Sequence, residues 1–220
     1  MAILATNSGG GGDFKPVPAG NHRAVCSMVV DLGRQRIQSQ MYGESIKHQV
    51  YIAWELPDEQ MTWQDKDGND KSGPMRIGKS YTVSLHENAN LRADLENWRG
   101  RPFTQEELAG FDIAKLGGVA CLINVTHKTN GEKTYANVTS VTPLPKGMEK
   151  PSCFDAPLIY DADNTGTWDF LPEWLQKKIQ AQVVEPSTGN GGGGGAAFDS
   201  DLDDDIPFVT ANPALEHRVF

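Results

Sequence analysis

The order in which the hydrophobic period changes along the chain constrains the fold more than any other feature. Apolar residues recur at every second position from His22 to Leu32, from Ile46 to Trp54 and from Arg76 to Leu85, as is typical of strands. The period then changes: residues 89–98 have the i, i+4, i+7 spacing of an amphipathic helix, and Gly100 follows as its stop signal. The sequence therefore predicts three strands and then a helix.

Two more alternating segments follow this helix, from Val119 to His127 and from Lys133 to Val141. The Asn130-Gly131 dipeptide between them is a strong hairpin signal. Three strands, a helix and a hairpin form the element order of the five-stranded OB barrel, with the helix between strands three and four. We therefore predict a mainly β, OB-type barrel. A small sandwich or an SH3-like barrel has the same strand count but does not call for a helix at that point.

Turn formers and terminal segments divide the rest of the chain. Residues 34–40 are predicted as a turn, and residues 57–74, dense in Asp, Gly and Asn, as a long exposed loop. Thr104 to Glu107 have the spacing of a capping box. A short helix is predicted between Pro172 and Gln182. We expect its apolar stripe to pack onto the barrel, and a subunit or partner contact is the alternative; the stripe consists of Leu171, Trp174, Leu175 and Ile179.

These patterns predict four segments. Residues 1–19 are a flexible N-terminal arm, and residues 20–150 are the OB domain. Residues 151–184 are a Pro-containing extension with the short helix, and residues 185–220 are a Gly-rich linker with a disordered acidic tail.

The negative charge is segregated along the chain. Residues 1–150 contain 17 basic and 17 acidic residues, whereas residues 151–220 contain 3 and 12, so the last third carries the whole net charge of −9. An acidic protein is ordinarily a poor partner for nucleic acid, because phosphate binding uses Lys and Arg. Because residues 1–150 carry no net charge, the sequence does not exclude nucleic acid as a ligand.

Other classes of protein are disfavoured by the sequence. There is no P-loop, His-Glu-x-x-His motif, nucleophile elbow or Cys-x-x-Cys pair, so we expect no catalytic residue, metal or cofactor. No apolar run approaches the roughly 20 residues of a membrane span, and we expect a soluble cytoplasmic protein. Cys26, Cys121 and Cys153 lack the spacing of a disulfide framework and are predicted to be buried free thiols.

The tail carries the most specific motif. A glycine run at residues 191–195 is followed by the clustered carboxylates and apolar end of Asp199-Ser200-Asp201-Leu202-Asp203-Asp204-Asp205-Ile206-Pro207-Phe208. Such a segment has no core of its own and is typical of a peptide offered to partner proteins. The motif resembles the acidic tip of bacterial single-stranded DNA-binding proteins. In that family the phenylalanine is the last residue, whereas here residues 209–220 follow it.

With this tail and the predicted barrel, the chain resembles a phage-type single-stranded DNA-binding protein. The resemblance implies a non-catalytic protein that coats single-stranded DNA without sequence preference during replication, recombination and repair. It also implies the cytoplasm of the host cell as its location, a homo-oligomer as a compatible state, and recruitment of replication or recombination enzymes by Asp201, Asp203, Asp204, Asp205, Ile206, Pro207 and Phe208.

Two alternatives to this function remain open. One is a recombination mediator or strand-annealing protein built on the same fold. The other is an acidic adaptor of replication proteins that does not bind DNA, which is compatible with the neutral charge of residues 1–150.

Basic and aromatic residues fall on the elements with which OB folds bind nucleic acid: strands two and three and the first-to-second and fourth-to-fifth loops. We predict DNA contacts from Arg34, Arg36, Tyr42, Lys47, Tyr51, Trp63, Arg76, Lys79, Lys128, Lys133 and Tyr135. Among the aromatic residues, Tyr42, Tyr51 and Trp63 are predicted to stack on bases. Trp54 and Tyr81 share the phase of aliphatic neighbours and are predicted to lie in the core.

Overall fold

Five long antiparallel strands form the body of the fold. The computed structural model describes residues 15–39, 43–64, 68–131 and 133–184, so Tyr42 and the acidic tail lie outside the described residues. The strands are β1 (Gly20–Ser39), β2 (Gly43–Gln64), β3 (Asp70–Thr82), β4 (Ala120–Asn130) and β5 (Lys133–Thr142). They are ordered β3-β2-β1-β4-β5, and the outer strands β3 and β5 approach each other. The sheet therefore curls into an OB-like half-barrel, which confirms the predicted fold class.

A helix covers one end of the barrel at the predicted place. Helix α1 (Asn90–Arg99) lies between β3 and β4 and buries Leu91, Leu95 and Trp98, the three residues of the predicted apolar stripe. It ends where Gly100 adopts a left-handed φ of 68°, a conformation that costs glycine little. Helix α2 (Gln105–Ala109) follows, and its N-terminus carries the predicted capping box between Thr104 and Glu107.

The barrel interior contains the predicted core residues. Trp54 is 0% exposed and Tyr81 is also buried, which confirms both predictions. The ring of Trp54 packs 5.9 Å from that of Trp98, which joins β2 to α1. Cys26 and Cys121 are buried free thiols, and Cys153 is half-buried.

A second apolar layer lies on the outside of the sheet. Strand β6 (Leu158–Tyr160) pairs in parallel with β1, and a 3-10 helix (Thr165–Phe170) leads to helix α3 (Glu173–Gln180). Leu171, Leu175 and Ile179 are buried in one cluster with Met28, Val30, Leu32, Tyr51 and Ala53 of β1 and β2. The C-terminal stripe therefore packs onto the barrel, as the sequence predicts.

Two predicted irregular segments are strands. Residues 34–39 continue β1 and pair with residues 43–48 of β2, so the predicted turn is wrong for these residues. The predicted loop at residues 57–74 is also wrong over most of its length, because β2 and β3 pair as far as Gln64 and Asp70. The pairing of β2 with β3 is irregular between Leu56 and Gln60, where the register shifts. Both hairpins extend because cross-strand hydrogen bonds stabilise polar residues in extended backbone.

Candidate nucleic-acid interface

The tip of the β4–β5 hairpin brings three predicted DNA contacts together. Strand β1 pairs with β4 only as far as Val125, so residues 126–137 form a two-stranded projection. Lys128 lies directly opposite Tyr135. Lys133 is two residues before Tyr135 on the same strand, so all three side chains share one face. This set of Lys128, Lys133 and Tyr135 is called the hairpin cluster below.

The hairpin cluster has accessible charge beside an aromatic ring. Lys128 and Lys133 are exposed, and neither forms an ion pair with any other described residue. Tyr135 is half-buried beside them. On the opposite face of the hairpin, the ring of His127 is held by a hydrogen bond between Nε2 and the carbonyl of Val17, at 2.7 Å. The hairpin is thus anchored on one face and presents two exposed cations and a half-buried phenol on the other.

The predicted cations on the β1–β2 hairpin occupy different environments. Arg36 is exposed, and its Nη1 donates to Glu44 Oε1 at 2.5 Å across the hairpin. Arg34 is exposed as well, and its backbone carbonyl accepts a hydrogen bond from Val183. Lys47 lies half-buried on the outer face of β2, opposite Gln35. The hairpin therefore keeps two exposed arginines, of which Arg34 lies near the point where α3 ends.

Two predicted DNA contacts on β3 instead belong to intramolecular ion pairs. Arg76 donates through both Nε and Nη2 to Glu55 Oε1, the Nε bond being 2.9 Å long. Lys79 Nζ lies 3.0 Å from Asp94 Oδ2, and the same carboxylate accepts the hydroxyl of Tyr81 at 2.7 Å. Both cations are used to neutralise carboxylates from neighbouring elements. Their contacts with DNA stay a prediction, in which DNA phosphates would compete with these carboxylates.

Tyr51 is not an exposed stacking residue. It faces outward from the barrel as predicted, opposite in phase to Val50 and Ile52, but α3 covers that outer face and leaves it buried. Its ring packs edge-on against Trp174 at 5.0 Å, and a side chain at Gly78 would collide with it. Burial raises the pKa of the Tyr51 hydroxyl. The sequence pattern correctly predicted the face of β2 on which Tyr51 lies. It did not predict that α3, far along the chain, covers this face.

Trp63 retains a partly accessible ring. It lies opposite Lys71 near the tip of the β2–β3 hairpin and is half-buried. Its ring rests against Gly73, where an added Cβ would come within 3.2 Å. Trp63 therefore stays a predicted stacking residue.

Sequence reasoning missed Trp174, which packs against Tyr51, and Lys178, which lies one helical turn further along α3. Trp174 was assigned only to the apolar stripe of the helix, and Lys178, one turn later, was not singled out. Burial lowers the pKa of Lys178 to about 8. The one available signal was their i, i+4 spacing, which places an aromatic ring and a cation on the same side of α3.

Comparison with protein-family models, curated proteins and solved structures found no match to this chain. Within the described ranges, no helix combines the length and apolar character needed to cross a membrane. The same residues hold no group of three or more His, Cys, Asp or Glu side chains arranged for a metal ion.

Proposed function

We propose that this protein binds single-stranded DNA without sequence preference and recruits replication or recombination enzymes to it. The observation that carries the proposal is the hairpin cluster, a half-buried aromatic ring beside two exposed lysines at the tip of the β4–β5 hairpin of an OB-like barrel. In OB folds the loop between strands four and five flanks the nucleic-acid face.

The chemistry of the cluster fits a single strand better than a duplex. A base stacked on an exposed aromatic side chain contributes about 1–3 kcal/mol, and every base has a face with which to stack. In a duplex those faces are already occupied by neighbouring bases. Lysines beside the ring neutralise phosphates without reading the bases, so the binding is independent of sequence.

The recruiting half of the proposal rests on the tail motif. Asp203, Asp204, Asp205 and the Ile-Pro-Phe that follows lie outside the described residues, and their role comes from the resemblance to the bacterial acidic tip. The resemblance also supports a phage origin and work in replication, recombination and repair, in the cytoplasm of the host cell.

One observation favours a protein that does not bind DNA. Arg76 and Lys79, two cations of the expected DNA face, are engaged by Glu55 and Asp94. Fewer available cations weaken binding to a polyanion. An acidic adaptor that only recruits replication proteins is therefore the second candidate.

Substitutions in the hairpin cluster test the DNA-binding proposal. In the full chain, Tyr135→Ala should weaken binding of labelled oligo-dT by about 5- to 100-fold, because one stacking contact is lost. Replacing both Lys128 and Lys133 with alanine should reduce the slope of log K against log salt by about 1.4, at about 0.7 per phosphate contact. Fluorescence anisotropy at several salt concentrations measures both effects.

Lys115→Ala is the matched control, because Lys115 is an exposed lysine in the 3-10 helix Ile113–Leu116, just before the other end of β4, and pairs only loosely with Asp112, at 3.9 Å. It should leave both affinity and salt slope unchanged. If the hairpin variants bind oligo-dT as tightly as Lys115→Ala does, the hairpin cluster is not the binding site.

A further inference from the structure

The segment between β5 and β6 crosses the outside of the sheet. Cys153 Sγ donates to the backbone carbonyl of Cys26 on β1, at 3.5 Å. The backbone N–H of the next residue, Phe154, donates to Glu55 Oε2 on β2, at 2.8 Å. The segment therefore passes from β1 to β2, and its residues 143–157 are called the strap below.

Glu55 fixes the place of Phe154 on the sheet. It follows the core residue Trp54 on β2, so its side chain points to the outer face of the barrel. Its partner Arg76 lies directly opposite on β3, and Asp155 Oδ2 lies 3.9 Å from Arg76 Nη2. The backbone of Phe154 is thus held over the paired strands β2 and β3.

The side chain of Phe154 points away from the core. It is 69% exposed, and its ring packs against no other aromatic ring in the described part of the chain. A ring on a fixed backbone loses little conformational freedom when a ligand stacks on it. Phe154 therefore has the properties of a stacking residue, although the sequence analysis did not single it out.

Both acidic residues of the strap have an arginine neighbour. Asp155 faces Arg76, as described above, and Arg23 Nη1 donates to the backbone carbonyl of Glu149 at 3.4 Å. These arginines offset the negative charge that the strap places on the sheet.

The basic residues of the strap are available. Lys146 and Lys150 are exposed, and neither forms an ion pair with any other residue that the structure describes. Lys150 is four residues from Phe154, so at most about 14 Å of extended backbone separates them. An aromatic ring and an accessible lysine repeat the composition of the hairpin cluster.

The place of the ring matches the face with which OB folds bind oligonucleotides, formed by strands two and three. Tyr51 is the stacking residue that the sequence predicts for this face, and α3 of the C-terminal extension covers it. The same extension brings the exposed ring of Phe154 over β2 and β3.

We propose that the strap is a second contact site for single-stranded DNA, in which Phe154 stacks on a base and Lys150 contacts an adjoining phosphate. This inference rests on the proposed function. It extends the path of the bound strand from the hairpin cluster on β4 and β5, past β1, to the outer face of β2 and β3.

Three substitutions of Phe154 in the full chain test the stacking contact. Phe154→Ala should weaken oligo-dT binding by about 5- to 100-fold, because one stacked base is lost. Phe154→Leu, which keeps apolar bulk without a ring, should be weakened similarly, whereas Phe154→Tyr should bind nearly as tightly as the wild type. Phe170→Ala is the matched control, since Phe170 is an exposed phenylalanine of the same extension, and it should leave binding unchanged.

Lys150→Ala tests the phosphate contact. It should lower the slope of log K against log salt by about 0.7, the value for one phosphate contact with a single strand. Lys177→Ala is its control, because Lys177 is 70% exposed and pairs with Glu173 on α3. The control should keep the slope of the wild type, and an unchanged slope for Lys150→Ala would contradict the contact.

The outcomes separate this inference from the proposed function. If the Phe154 variants bind like the wild type while Tyr135→Ala is weakened, the strap inference is wrong and the proposed function stands. The inference is also wrong if Phe154→Tyr is weakened as much as Phe154→Leu, or if Phe154→Ala changes only the sedimentation of the protein, which would assign the ring to a contact between copies. If the wild type does not bind oligo-dT, the proposed function is wrong and the inference falls with it.

Discussion

Replacing Trp54 with alanine is expected to lower the free energy of unfolding by about 3–5 kcal/mol. Trp54 is 0% exposed in the barrel interior and packs against Trp98 of α1, so the substitution leaves a large cavity between the sheet and the helix. For a domain of this size the loss corresponds to a melting temperature lower by roughly 10 °C. Denaturant titration and thermal melting measure it directly.

Trp63→Ala is the control for this prediction, because it removes the same side chain from the same strand. Trp63 is half-buried near the tip of the β2–β3 hairpin and rests on Gly73, so we expect a loss below about 1.5 kcal/mol. Equal losses for the two variants would contradict the assignment of Trp54 to the core and Trp63 to the periphery.

Glu55→Ala is expected to cost about 3–5 kcal/mol, because it breaks a buried ion pair and leaves Arg76 with only a long contact to Asp155, at 3.9 Å. Glu55 is 1% exposed, and it accepts hydrogen bonds from Arg76 and, at 2.8 Å, from the backbone N–H of Phe154. The substitution therefore also detaches the start of the C-terminal extension from β2. Equilibrium unfolding of the purified variant measures the loss.

Asp58→Ala is the control for Glu55→Ala, because it breaks an ion pair that is exposed to solvent. Asp58 also binds an arginine through two hydrogen bonds, of 2.8 and 2.6 Å from Arg23, but it is 49% exposed. Solvent screening limits such a pair to about 0–1 kcal/mol. If Glu55→Ala is no more destabilising than Asp58→Ala, the ion pair between Glu55 and Arg76 does not stabilise the fold as described.

Local periodicity was sufficient to predict the barrel. The alternation from Val50 to Trp54 fixed which residues of β2 face the core, and the change of period at residues 89–98 located α1. The Asn130-Gly131 signal placed the hairpin on which Lys128, Lys133 and Tyr135 come together. These features depend on interactions between residues close in sequence or on the period of a single element.

The errors have a common physical origin in contacts between distant segments. Tyr51 is buried because Leu175 and Ile179, more than a hundred residues later, cover the face on which it lies. The sequence also did not predict the ion pair of Arg76, because its partner Glu55 lies on the neighbouring strand. Strand β6 has only three residues and pairs in parallel with β1, so no alternation could reveal it. A single sequence contains no local signal for such pairings.

The most direct test of the central claim is a salt titration of the full chain with oligo-dT and with a duplex of the same length. We expect the protein to bind oligo-dT far more tightly than duplex, because stacking residues need unpaired bases. Affinity should fall as salt rises, with a log-log slope of about −0.7 for each phosphate contact. Equal affinity for duplex, or no measurable binding to oligo-dT at low salt, would contradict the proposal that this protein binds single-stranded DNA.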